Sequence, residues 1–97
     1  MPEMAFVARW PDGAVATYYS PSLVVREYLE AGSVYPVADF VERSRSALHI
    51  ASERVRAKYG YACSRAAATL ARIEAKAGEF AGVAGATVVV ESAAEEL

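Results

Sequence analysis

Apolar and polar positions alternate with a period of two at the start of the chain. In MAFVARW (4–10), Met4, Phe6, Ala8 and Trp10 fall on one side and Ala5, Val7 and Arg9 on the other, which predicts a strand. Pro11-Asp12-Gly13 predicts a tight turn: proline pre-sets the first bend, and glycine takes the left-handed position that closes a type I turn with a bulge. AVATYY (14–19) then returns as a second strand. This register sets Phe6 opposite Tyr18 and Trp10 opposite Ala14, giving a core face of Phe6, Ala8, Trp10, Ala16 and Tyr18.

Beyond residue 20 the period lengthens to three and four. Ser20-Pro21-Ser22 predicts the start of a short helix over LVVREYL (23–29), with Gly32 ending it. Tyr35-Pro36 forces an extended approach to the next element. A long helix is predicted over 37–59, because Phe40, Val41, Ser44, Ala47, Leu48, Ala51, Val55 and Tyr59 form one stripe about 120° wide at 100° per residue. Gly60 is its stop. Ser64 is placed to cap a third helix over 65–81, with a stripe of Ala66, Ala67, Leu70, Ile73, Ala77, Phe80 and Ala81. GVAG (82–85) breaks that helix, and ATVVVE (86–91) predicts a third strand lying inside the sheet. The acidic tail, 92–97, is expected to fray.

The order β-β-α-α-α-β predicts an α+β fold: a three-stranded antiparallel sheet packed on one face by helices, with the last strand beside the first. Ninety-seven residues without a low-complexity linker predict a single domain over 1–97. A three-stranded sheet leaves two edges and an open face, so association into a homo-oligomer is an expectation to test.

Composition narrows the function. The 55% hydrophobic content is inflated by alanine, which favours helix and adds little core volume. The net charge of −2 is not that of a nucleic-acid binder. It is uneven, however: Arg43, Arg45, Arg54, Arg56 and Lys58 outweigh Asp39, Glu42 and Glu53 within 37–59, between acidic flanks. One cysteine excludes an intrachain disulfide, and one His with one Cys falls short of a structural zinc set. No signal-peptide pattern and no membrane-length apolar run occur, so a cytoplasmic protein with no membrane partner is expected.

The densest chemistry lies in ERSRSALHIASERVRAKYGYACS (42–64). ERSR and ERVR repeat eleven residues apart. On a helix Arg43 and Arg54 lie on one flank of the apolar stripe and Arg45 and Arg56 on the other. Spacing predicts the pairs Asp39–Arg43, Glu42–Arg45 and Glu53–Arg56. The arginines are therefore read first as a self-paired rim and next as a grip for a carboxylate or phosphate. A DNA-recognition helix would instead gather its charges on the exposed face. His49 projects away from the stripe. Cys63 precedes a helix start, where a dipole can activate a thiol; the competing reading is a small residue closing the corner. Tyr28, Tyr35, Tyr59 and Tyr61 stand near helix ends, where they either line a cleft or cement packing. Glu74 sits at the third helix's apolar edge, where it either pairs with an arginine of the long helix or reaches water. The candidate ligand- or partner-binding residues are thus Tyr28, Tyr35, Arg43, Arg54, Tyr59, Tyr61 and Cys63. No phosphate loop, nucleophile elbow or metal-ligand spacing is present, so no catalytic residue, metal or cofactor is assigned.

MPEMAFVARWPDG, YSPSLVVREYL and YPVADFVERSRSALHIASERVRAKYGYACS together resemble a family of small bacterial nitrogen-starvation-response proteins, encoded in nitrilase-containing gene clusters of cyanide or nitrile assimilation. The resemblance covers roughly residues 1–75, carried by the RWPDG and YPVADFVERSR…RVRAKYG blocks. It implies a cytoplasmic protein made under nitrogen limitation beside the enzymes of one pathway, and it carries over no catalytic residue. The expectation is a non-catalytic accessory or binding protein that contacts those enzymes or a small anionic metabolite. Two alternatives stand beside it: an enzyme or carrier using the Cys63 thiol, and a nucleic-acid regulator acting through helix 37–59.

Overall fold

The computed structural model describes residues 2–95. Strands β1 (Met4–Arg9) and β2 (Val15–Ser20) form the expected hairpin, with Phe6 opposite Tyr18. Its turn closes through Trp10 N–H donating to the Ala14 carbonyl at 2.8 Å and Gly13 N–H donating to the Trp10 carbonyl at 2.9 Å. Gly13 adopts φ +86°, a conformation that a residue with a Cβ takes only at a cost.

Three sequence expectations need correction here, and a fourth in the C-terminal tail described below. First, 23–29 is not an α-helix. Ser22 accepts from Val24 N–H as expected of a cap, but only a 3₁₀ turn forms, over Leu23–Glu27. Val24, Val25 and Leu29 all turn inward from this short stretch, a wider buried set than one α-helical face provides. Second, the sheet has four strands. The extended segment forced by Pro36 becomes β3 (Val34–Pro36), which pairs with β4 (Thr87–Glu95) as a short edge strand. Proline is tolerated there because an edge strand need not donate on both sides. Third, the last helix stops at Gly78 instead of reaching residue 81, and Ser64 is its first residue instead of its cap.

The helices are α1 (Val37–Tyr59) and α2 (Ser64–Gly78). The long helix has the expected limits. Gly60 ends it at φ +85°, returning its N–H to the Arg56 carbonyl at 2.8 Å. The strand order is β2-β1-β4-β3, antiparallel throughout, with the last strand beside the first as expected. A bulge shifts the β1–β4 register between Val7 and Ala8. The expectation of a fraying tail fails for residues 92–95, which pair with Met4–Val7; residues 96 and 97 lie outside the described residues.

Both helices pack on the same sheet face. The core joins Met4, Phe6, Ala8, Trp10, Tyr18, Val88 and Val90 to Phe40, Ala47 and Leu48 of α1 and to Ala66 and Ile73 of α2. Trp10 meets Phe40 edge-on at 5.4 Å and lies parallel to Phe80 at 6.1 Å, while its Nε1–H donates to Tyr18 Oη at 3.0 Å. α2 also closes the β2 edge. Thr69 Oγ1–H donates to the Tyr19 carbonyl at 2.9 Å, and Arg72 reaches the Thr17 carbonyl at 3.5 Å.

Ser44 is out of keeping with this core. It is fully buried on the inner stripe of α1, and its hydroxyl finds no hydrogen-bond partner among the described residues. An orphaned buried hydroxyl costs about 1–3 kcal/mol, and serine is a poorer helix former than alanine. Ser44→Ala is therefore expected to stabilise the chain by about 1 kcal/mol, read as a higher urea midpoint at unchanged slope. A lower midpoint would mean that the hydroxyl is satisfied in solution.

Candidate functional site

The arginines of α1 are held as the spacing predicts. Arg43 Nε donates to Asp39 at 2.9 Å, Arg45 Nη1 to Glu42 at 2.6 Å, and Arg56 lies 3.7 Å from Glu53. Arg45 Nη2 also donates to Glu74 of α2 at 2.8 Å, so that acid pairs across the helices. Carboxylates raise the pKa of Arg43, through Asp39, and of Arg45, through Glu74 and then Glu42. Arg54 binds a hydroxyl instead, donating to Ser22 Oγ at 3.2 Å. The rim braces the fold: Arg43 and Arg54 tie α1 to the 3₁₀ segment, and Arg45 ties it to α2. His49 is exposed, beside Arg45, Ser52 and Leu70.

The seven candidate residues do not converge on one pocket. Tyr28, Tyr35 and Arg43 meet near the start of α1. The Arg43 guanidinium lies 4.8 Å from the Tyr35 ring centroid and donates to the Tyr28 carbonyl at 3.0 Å, while Tyr35 Oη accepts Glu30 N–H at 2.9 Å. With its partners already made, this group reads as packing. Tyr59, Tyr61 and Cys63 meet at the far end of α1, about 24 Å away along the helix axis at the usual rise. They line a depression of about 160 Å³ with Glu3, Tyr19 and Pro21. Tyr59 and Tyr61 are 51% and 67% exposed. Tyr19 donates its phenol to Glu3 at 3.1 Å and lies under Arg65 at 3.6 Å; burial first, then Glu3, pushes its pKa up to about 12. Cys63 is half-buried at the cap position of α2, and its side chain makes no capping bond.

A larger concavity lies elsewhere and was not legible in the sequence. A groove of about 790 Å³ runs between the first turns of α1 and the loop 79–86 that joins α2 to β4. Its apolar walls are Val37, Val41, Phe80, Ala81, Val83 and Ala86. Gly82 and Gly85, at φ +79° and +77°, turn this loop back over the helix start. Val37 N–H donates to the Ala86 carbonyl at 3.2 Å and closes one end. Val83 remains 53% exposed. The ionisable lining residues are Glu42 and Arg45, already paired with each other. Below the groove, Phe80 lies against Trp10, and Lys76 is fixed by Asp12 at 2.6 Å and Glu79 at 3.0 Å. The cue in the sequence is a valine and a phenylalanine set among glycines in 78–85, where a solvated loop would carry polar residues.

Among the described residues no helix is long and apolar enough to cross a membrane, and no three His, Cys, Asp or Glu side chains are grouped to hold a metal. The family model for nitrogen starvation-induced protein NitG matches residues 5–93. No curated protein and no solved structure matches the chain.

Proposed function

The chain belongs to the family of nitrogen starvation-induced protein NitG, and from that premise we propose that it is a non-catalytic accessory protein of the nitrogen-starvation response. It works in the cytoplasm and docks an apolar segment of an enzyme from its own gene cluster, one of nitrile or cyanide assimilation. The observation that carries this reading is the groove between α1 and loop 79–86. It offers apolar walls of a size that takes a few side chains, and its two ionisable residues neutralise each other. Such a surface supplies contact area but no free acid, base or nucleophile. The arginines proposed to grip an anion are engaged by Asp39, Glu42, Glu74 and Ser22, so a protein contact is the better-supported half of the reading.

The test is capture from nitrogen-starved cells with the tagged chain, beside the double variant Val41→Asp, Val83→Asp. Wild type is expected to recover an enzyme of the cluster, with the variant losing at least roughly tenfold in affinity, because charges in the centre of an apolar contact leave buried groups unpaired. Both positions are at least partly exposed, so the variant should keep its fold, checked by circular dichroism. Recovery of no cluster enzyme, or equal recovery by the variant, would remove the reading. A thermal shift from a small anionic metabolite, with no protein captured, would move the function to the arginine flanks.

A further inference from the structure

A second concavity shares no lining residue with the groove. It is a cleft of about 430 Å³ between the inner face of β2 and the C-terminal half of α2. Trp10 and Tyr18, each 2% exposed, form its floor, and the methyl groups of Ala14, Ala16 and Ala75 line its sides. Two polar groups in it lack the partner that their chemistry calls for. Arg72 is exposed and has no carboxylate within ion-pair reach among the described residues. Its one hydrogen bond, to the Thr17 carbonyl, is 3.5 Å long, at the limit of such a contact. Tyr18 Oη accepts from Trp10 Nε1–H at 3.0 Å, but its own O–H finds no acceptor among the described residues. Burial raises the Tyr18 pKa, against the opposing pull of the Trp10 bond and of the Arg72 and Lys76 charges, so the phenol keeps its proton and offers it as a donor. The Arg72 guanidinium lies 5.0 Å from the Tyr18 ring centroid, so cation and donor belong to one site.

We propose that this cleft binds a small monocarboxylic acid with a compact apolar body, its carboxylate taken by Arg72 and the Tyr18 O–H and its body laid against Trp10 and the three alanines. A guanidinium fork matches two carboxylate oxygens better than it matches a neutral acceptor, and the desolvated phenol adds a donor to the same anion. The far end of the cleft limits the charge. Lys76 is already held by Asp12 at 2.6 Å and by Glu79 at 3.0 Å, so it is spent, and those two acids disfavour a dianion such as phosphate. The volume lies within the range of small-molecule sites, and apolar walls around a few placed polar groups are their usual make-up. Arg43 and Arg45 of α1 offer no comparable fork, because each already holds an acid. The cleft stands apart from the docking reading of the groove, since a change at Arg72 leaves the groove lining untouched.

Titration of the isotope-labelled chain with benzoate, benzamide and inorganic phosphate, followed by amide chemical shifts, tests the proposal. Benzoate is expected to saturate with a dissociation constant on the order of 1 mM, as a fragment of its size allows, and to move the amides of residues 14–18 and 72–79. Benzamide, the same body without the charge, and phosphate, the charge without the body, are expected not to saturate in that range. Arg72→Met alters an exposed side chain, so it should keep the fold, and it is expected to weaken benzoate at least about tenfold. Tyr18→Phe should weaken it roughly three- to tenfold; if that variant fails to fold, Arg72→Met still decides. Benzoate that does not saturate below about 20 mM overturns the proposal, as does binding retained in Arg72→Met or a set of shifts confined to α1. Benzamide binding as tightly as benzoate would reduce the site to an apolar contact, and phosphate doing so would overturn the carboxylate assignment.

Discussion

Trp10→Ala is expected to remove about 3–5 kcal/mol of stability, the usual cost of deleting a large buried aromatic. A chain of this size has about 5–10 kcal/mol in all, so the variant should be close to unfolded at 37 °C. The expectation rests on position as much as on size. Trp10 is 2% exposed and stands where the hairpin, α1 and the loop after α2 meet. Its ring touches Phe40 edge-on and Phe80 face-on, and its N–H satisfies Tyr18 Oη. Removing it leaves a cavity, an unpaired phenol and an unsupported groove wall in one step. Trp10→Phe separates these effects: it keeps most of the ring volume and loses the donor, for a cost of about 1–2 kcal/mol. Urea unfolding followed by circular dichroism reads both. A Trp10→Ala loss below about 1.5 kcal/mol would show that the three elements are joined elsewhere. Because Phe80 forms part of the groove, the same variant should weaken partner capture even where it remains folded.

The elements that local rules govern were legible. The hairpin follows from strict alternation around Pro11-Asp12-Gly13, and α1 from an apolar stripe closed by Gly60. The ion pairs along α1 follow from i,i+3 and i,i+4 spacing alone, and all three form. What failed depended on distant partners. Val34–Pro36 is too short to show a period, and only Thr87–Val89 of β4 makes it a strand. LVVREYL carries apolar residues at nearly every phase, so its sequence cannot choose between α and 3₁₀; the core decided by drawing in Val24, Val25 and Leu29 together. The seven candidate residues were chosen because four tyrosines stand near predicted helix ends, two arginines flank the stripe of α1 and Cys63 precedes a helix start. The helix separates what the sequence places together: Arg43 and Tyr59 stand at opposite ends of α1. The groove escaped for the converse reason, since Val41 and Val83 are brought together only when loop 79–86 folds back.

Ile73→Ala is expected to cost about 2–4 kcal/mol, and to concentrate that loss on one helix. α2 is rich in alanine, and its only buried residues are Ala66, Thr69 and Ile73. Ile73 is therefore its one large, fully buried anchor, while α1 keeps Phe40, Leu48 and Val55. Local opening draws first on the element with the fewest buried apolar contacts. Amide exchange should accordingly accelerate along α2 well before it does in β1 and β4, whose central ladders remain. The opening has a second consequence. Thr69 and Arg72 hold the Tyr19 and Thr17 carbonyls, so a detached α2 uncovers the β2 edge. An exposed edge beside a valine-bearing outer face is a template for strand addition. The variant should thus aggregate on mild heating, in a manner that Thr69→Val, which keeps the helix in place and removes one edge contact, shows only weakly. Uniform acceleration of exchange across the sheet and both helices would mean that α2 unfolds only with the rest of the chain, and that its single isoleucine is not what holds the edge shut.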